Sequence, residues 1–354
     1  MSLKPPRQLT TVGAKVEARL DLLFCEQRDY WRSVDPRLAE AVDELAGIAG
    51  GGGKRLRAAF CYWAWRGNSP AAGEADQVAI DVGAAFELLQ TFALVHDDVM
   101  DDSATRRGRP TVHTAQAERL VDEGWLGEPR RFGEGVAILV GDLSHAYADA
   151  LMADAGPAAR RIWDELRIEL NLGQYLDLRA AAAGQLDQQT AEQVSTFKSA
   201  LYTIVRPLQL GASIDGPASP ALLEQLERYG RPLGRAFQLK DDLLGVLGDE
   251  AAIGKPVGDD LREGKPTELA ALATDRADAS QRKTLSKIGR RDLDADDVAE
   301  IVDVFIATGA VEGISERVSQ LVTEATAVVD DLPFDRSAQG AMAALAGYVA
   351  ARNS

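Results

Sequence analysis

Four carboxylates crowd the segment LLQTFALVHDDVMDDS. On a helix, Asp97 and Asp101 stand one turn apart on one face, and Asp98 and Asp102 share the neighbouring face. The preceding AAFELLQTFALV is apolar on most faces, so these acids end a buried helix. Like charges at that spacing repel, and a buried carboxylate costs several kcal/mol unless neutralised, so the arrangement needs a cation. Oxygen-only ligands on a rigid helix suit Mg²⁺, which keeps several waters and is completed by substrate phosphates. A solvated helix end in an acidic protein is the alternative. A second stretch, GRAFQLKDDLLGVLGDE, repeats the logic with Asp241 and Asp242, has Gly245 where the first site has its third acid, and carries Asp249 two turns on. Two such pairs ending two mostly apolar helices could face each other across a bundle.

Carboxylates and metal cannot hold a polyanion unaided, which directs attention to Lys and Arg beside glycines and turns. GGGKRLR puts Lys54, Arg55 and Arg57 where a glycine run opens a helix, so backbone N–H groups and side chains could converge on phosphate. ATRRGRPTVH puts Arg106 and Arg107 just after the first acids, in reach either of phosphate or of Asp101 and Asp102. Lys255 and Lys265 lie in the glycine-rich GKPVGDDLREGKPT, which by itself reads as surface loop.

The elements that must position these groups are helices. Apolar residues recur at three- and four-residue spacing nearly throughout, and alternating Val, Ile and Thr runs are almost absent. The pattern predicts an all-α fold, with helices at 11–31, 36–48, 55–66, 73–102, 132–154, 157–182, 189–213, 219–246, 266–283, 294–308, 311–330 and 335–352. Breakers fall at 47–53, 106–111, 215–220 and 254–266. Charge and hydropathy run evenly, which predicts one large helical domain over 1–354. With 39 Lys and Arg against 55 Asp and Glu, the net charge of -16 repels nucleic acid and anionic headgroups. Cys25 and Cys61 are too few for a disulfide framework and read as core residues. No segment reads as a membrane span of roughly eighteen apolar residues, and the N-terminus lacks an apolar leader, so the expected compartment is the cytoplasm.

GGGKRLR, LVHDDVMDDSATRRGRPTVH, FKSALY, FQLKDDLLGVLGD and GKPVGDDLREGKPT, in that order over most of the chain, resemble the trans-polyprenyl diphosphate synthases, nearest to short-chain farnesyl and geranylgeranyl diphosphate synthases. The resemblance implies a single helical bundle around a central cavity, a homodimer and Mg²⁺. It also implies head-to-tail condensation of isopentenyl diphosphate with an allylic diphosphate: dimethylallyl, geranyl or farnesyl. By resemblance Asp97, Asp101 and Asp241 are metal ligands supported by Asp98 and Asp242, and Arg106 binds the allylic diphosphate. Lys54, Arg57, Arg107 and Gln90 resemble the isopentenyl diphosphate clamp, with Gln90 where many relatives have His. Lys198, Lys255 and Lys265 resemble lysines on the allylic diphosphate and departing pyrophosphate, and Ser199 and Gln238 match polar cavity positions. Ala58, Gly245 and Glu268 depart from the usual Pro, Asp and apolar residue.

Metal, Arg106 and the lysines would stabilise charge on the departing pyrophosphate, leaving an allylic cation for the isopentenyl double bond. His96 and His113 are expected to be structural. Phe92 and Ala93, five and four residues before Asp97, are expected to point toward the growing chain, with Phe92 a floor and Leu89 or Phe86 a deeper one. That predicts a short product, geranylgeranyl or farnesyl diphosphate. A class I terpene cyclase would share the fold and first acid site, but its second site normally has an Asn, Ser and Glu pattern and it has no use for GGGKRLR. A non-catalytic partner subunit would keep the fold while losing acids or basic residues.

Overall fold

The computed structural model describes residues 4–69, 76–185, 187–248 and 257–351. Lys255 and Asp249 lie outside the described residues. The chain is all-α, with α1 (Arg7–Val34), α2 (Pro36–Ala49), α3 (Leu56–Asn68), α4 (Gln77–Asp101), α5 (Val112–Asp122), α6 (Pro129–Leu151), α7 (Pro157–Ala183) and α8 (Gln188–Val194). A π-helical stretch, Ser195–Val205, leads into α9 (Arg206–Ala212) and α10 (Pro220–Leu247). There follow α11 (Asp259–Glu263), α12 (Glu268–Arg276), α13 (Ala279–Leu285), α14 (Ala295–Ala307), α15 (Ala310–Ala327) and α16 (Arg336–Ala351).

Local chemistry sets many of the helix starts. Pro36, Pro129 and Pro220 each stand at a first helical position, where no N–H is needed, behind Asp35, Glu128 and Ser219, whose side chains accept from backbone N–H groups of the first turn. Asp278 and Gln281 form a reciprocal capping box on α13.

Helix α4 is buried on nearly every face, with Ala84, Ala85, Phe86, Leu88 and Leu89 all inaccessible to water. It packs against α1, α3 and α6 in the main apolar core, and its C-terminal turn therefore delivers Asp97 to Asp101 into the interior of the bundle. By length and composition α4 is long and apolar enough to cross a membrane, contrary to the expectation that no segment is; 67% of its apolar window is buried within the bundle. A second apolar cluster joins the C-terminal half of α10 to α11 through α15.

The structure corrects several boundaries. A helix over 112–122 was not expected; its apolar face is short, with only Val112 and Leu120 as buried aliphatics. The expected breaker at 106–111 holds a two-residue antiparallel pairing, Arg106 opposite Arg109. The expected helix at 266–283 is divided at Ala277, whose extended backbone ends α12 before the cap of α13. The expected helix at 189–213 is α-helical only at its ends. Its middle is π-helical and packs closely against glycines of two neighbouring helices: a Cβ on Gly173 of α7 would lie 2.7 Å from the Lys198 backbone nitrogen, and one on Gly234 of α10 would lie 2.7 Å from the Ala200 Cα. Cys61 is buried as expected, whereas Cys25 is exposed on the outer face of α1.

Candidate active site

The last turn of α4 and the π-helical stretch meet at Asp97. Its Oδ1 accepts from Gln174 Nε2 of α7 at 2.8 Å and from Lys198 Nζ at 3.2 Å. Lys198 also donates to Asp177 of α7 at 2.6 Å. Burial works against the Lys198 charge, but Asp97 and Asp177 outweigh it and hold the ammonium above the ordinary lysine value. One turn on, Asp101 accepts from Lys265 Nζ at 2.9 Å. Lys265 lies just past α11 and also contacts Asp260 at 3.3 Å and Glu263 at 2.5 Å. Its burial is overcome by Asp260, Asp101, Asp97 and Glu263, so its charge is strongly held.

Asp98 faces another way. It is buried and takes a forked pair from Arg106, with contacts of 2.8, 2.9 and 2.5 Å. Asp102 leaves the helix in the left-handed conformation (φ 60) and turns to Arg291 at 3.0 Å. Of the four acids, Asp97 and Asp101 are each held by a lysine.

The second acid site stands on α10. Asp242 is buried beside Gln238, whose Nε2 donates to it at 2.7 Å, and the Gln238 carbonyl accepts from Ser199 of the π-helical stretch. Burial first, then Asp260, Glu268 and Asp241, push the Asp242 carboxyl well above the usual range despite the Gln238 bond. Asp241 is half-buried at the neighbouring position. A Cβ on Gly245 would lie 2.8 Å from Asp260 Oδ2, so the carboxylate of α11 fills the space left by the missing third acid. Asp260 thus links the two acid sites through Lys265.

The other basic residues occupy a separate corner. Arg57 donates to Thr203 Oγ1 at 3.1 Å and stacks over the Tyr202 ring at 4.2 Å. Lys54 is half-buried close by in sequence, and the buried Gln90 Oε1 has no hydrogen-bond partner among the described residues. Arg107 reaches back to donate to the carbonyls of Gly51, at 3.0 Å, and Gly52. Arg55, grouped by sequence with the phosphate-binding cations, is turned inward and bonds Glu87 at 2.6 Å.

On α4, Phe86, Gln90, Ala93 and Asp97 form one stripe at four- and three-residue spacing. Phe86 at its foot is fully buried and edge-on to Trp163 of α7, with ring centroids 5.5 Å apart. Phe92 lies off that stripe, packed between His96 at 4.6 Å and His145 of α6 at 5.0 Å. His96 Nε2 bonds the Ile138 carbonyl oxygen and His113 Nδ1 the Thr111 hydroxyl, at 3.0 and 3.2 Å.

Gln174, Asp177, Glu87 and Asp260 were not singled out from the sequence. Asp177 did leave a signal: it falls on the buried stripe of α7 formed by Leu166, Leu170, Gly173 and Ala180, where a carboxylate has no place without a partner. Glu268, noted as a departure from an apolar residue, is buried against Arg235 at 2.6 Å.

Among the described residues no three His, Cys, Asp or Glu side chains converge into a protein-only metal cage. The donor chemistry still fits a divalent cation: Asp97 and Asp101 are oxygen donors on one rigid helical face, already attracting two ammonium groups, and a small hard ion can share such a pair with substrate oxygens.

The model of the polyprenyl synthetase family matches residues 36–305. The short chain isoprenyl diphosphate synthase of Methanothermobacter thermautotrophicus is 31% identical over 300 residues, covering 80% of this chain and 85% of that protein. Heptaprenyl diphosphate synthase component 2 of Geobacillus stearothermophilus is 28% identical over 95% of this chain and 99% of its own length. Among solved structures, a geranylgeranyl pyrophosphate synthase from Corynebacterium glutamicum, complexed with isoprenyl diphosphate and magnesium, superposes with a TM-score of 0.91 at 35% identity, covering 97% of this chain and 99% of that one. A lysine-held acid site on α4, linked through Lys265 and Asp260 to a buried second one on α10 and set beside a separate arginine cluster, agrees with that match: the chain belongs to the polyprenyl synthetase family.

Proposed function

We propose that this chain is a Mg²⁺-dependent short-chain prenyltransferase that condenses isopentenyl diphosphate with dimethylallyl, geranyl or farnesyl diphosphate. The observation that carries the reading is the separation of cations into two groups. Lys198, Lys265 and Arg106 ring the acids of α4, while Lys54, Arg57 and Arg107 gather at the start of α3. Two cation groups suit two diphosphates held side by side. A terpene cyclase binds only one. A non-catalytic subunit need not keep both groups, although kinship with a heptaprenyl synthase component makes a partner protein worth testing.

Asp97, Asp101 and Asp241 would hold the metal, which when bound polarises the diphosphate oxygens of the allylic substrate. Lys198 and Lys265, which pair with Asp97 and Asp101 here, would place their charge on the diphosphate beside those acids. Arg106, held by Asp98, places a guanidinium on the same diphosphate. Lys54, Arg57 and Arg107 fix the isopentenyl diphosphate so that its double bond meets the allylic carbon. The departing pyrophosphate is the base that accepts the final proton. Product length is set by what fills the space below Asp97. Ala93 lies on the stripe, Phe92 flanks it from its place between His96 and His145, and Phe86 against Trp163 closes it, so the product is geranylgeranyl or farnesyl diphosphate.

The protein acts as a homodimer in this reading. Support comes from exposed apolar residues along α7, Ile168, Leu172 and Tyr175, with Phe197 beside them and Ile138 and Leu139 on α6.

Incubating the purified protein with Mg²⁺, isopentenyl diphosphate and each primer separately tests the assignment. Consumption of isopentenyl diphosphate with formation of a C15 or C20 diphosphate is expected. Conversion of the primer alone would identify a cyclase, and no turnover of either substrate would identify a non-catalytic subunit.

A further inference from the structure

Arg55 is the buried cation of GGGKRLR, whereas Lys54 and Arg57 are half-buried. Its side chain and that of Glu87 are each only 7% exposed and meet at 2.6 Å. The second guanidinium nitrogen, Nη2, donates to the Ala49 carbonyl at the end of α2 at 3.1 Å, and Nε lies 3.5 Å from Glu17 of α1. Arg55 is therefore tied to α1, α2 and α4 at once. It is also the residue before α3, in the left-handed conformation (φ 51) that side chains rarely adopt. Such a conformation persists only where the surroundings over-determine it, and here the buried ion pair does so.

The placement gives the pair a task. Lys54 precedes the left-handed residue and Arg57 follows in the first turn of α3, so the direction in which both leave the glycine run depends on the backbone at residue 55. Arg107, the third cation of the group, hooks the same run through Gly51 and Gly52, and it lies within electrostatic reach of both Arg55 and Glu87. Glu87 offsets part of the Arg55 charge that Arg107 feels.

We infer that Arg55 and Glu87 form a buried positioning pair for the isopentenyl diphosphate clamp, in which Arg55 touches no substrate and sets the geometry of Lys54, Arg57 and Arg107. The inference rests on the two-diphosphate reading above. A direct ligand would leave the pair to reach phosphate; a positioning residue acts only while the pair is intact.

The test is steady-state kinetics of Glu87→Gln and of the double variant Arg55→Met with Glu87→Met, which leaves no charge buried. Both should raise KM for isopentenyl diphosphate at least tenfold, leave KM for the allylic diphosphate within twofold and change kcat less than threefold. Equal rises in both KM values, or a lower melting temperature with both KM values unchanged, would overturn the inference. So would a fall in KM for isopentenyl diphosphate in Glu87→Gln, because releasing Arg55 would then have supplied a ligand. If Glu87→Gln does not fold, the double variant decides. A wild-type protein that consumes no isopentenyl diphosphate would refute the two-diphosphate reading itself, whereas an active wild type with unaltered variant KM values refutes only the role of the pair.

Discussion

Lys265 concentrates the electrostatics of the site in one side chain, since it answers to Asp101, Asp260 and Glu263 together. Replacing it by Ala strands three acids in a poorly solvated place, and breaking a buried pair typically costs about 3–5 kcal/mol. Lys265→Ala should therefore melt well below the wild type in EDTA and gain more from added Mg²⁺ than the wild type does, because a cation binding only the folded state stabilises it. Paired thermal melts check this; equal Mg²⁺ effects would show that the ion does not take the place of the ammonium. His145 carries a different signature. Burial, then Arg167, lower its pKa below the usual 6.5, while Asp149 opposes them weakly. Between the lowered value and 6.5 the unfolded chain binds a proton that the folded chain refuses, so stability is full above 6.5 and falls as pH drops through that window. His145→Gln should flatten the decline in melting temperature between pH 7.5 and 5.5, and an unchanged slope would assign the decline to other groups.

At the scale of elements, the π-helical stretch is the part whose shape the chemistry depends on. Gly173 and Gly234 clamp it from opposite sides, and Lys198 and Ser199 project from between them. Gly173→Ala puts a methyl group into the Lys198 backbone. Overpacking of this kind costs about 1–3 kcal/mol, and the displaced lysine should lower kcat on the order of 10²-fold, since small misplacements are costly in catalysis. Thermal melts and turnover on one preparation separate the two effects. Helix α4 sets the other dimension of the site. With Phe92→Ala the ring between His96 and His145 is lost, and product chromatography should show longer chains; an unchanged product would leave Phe86 and Trp163 as the stop.

At the scale of the whole molecule, the exposed apolar face decides assembly. The stripe Ile168, Leu172 and Tyr175 lies on the outer face of α7, and Leu139 of α6 is 67% exposed. Charged residues there should not disturb the core but should repel a second copy. Leu139→Glu with Leu172→Glu is expected to shift light-scattering mass from dimer to monomer at micromolar concentration, with little change in helicity. A monomeric wild type would refute the dimer.

Much of this was legible in the residues. Periodicity alone specified an all-α chain, because apolar spacing of three and four residues leaves no other regular way to bury a face. The acid pairs at Asp97 and Asp241 were visible as charges attached to helices too apolar to be solvated. What the sequence could not decide was which charge meets which. Lys54, Arg55 and Arg57 look alike in a string, and only packing against α1, α2 and α4 turned Arg55 inward to Glu87. Asp260 lies 15 residues beyond Gly245, yet the fold puts its carboxylate where a third acid on α10 would stand. Local periodicity records burial because each residue senses its own helix face. Ion pairs between Asp101 and Lys265, or Lys198 and Asp177, join distant segments, and that choice belongs to the tertiary structure, where desolvation makes every buried charge find a partner.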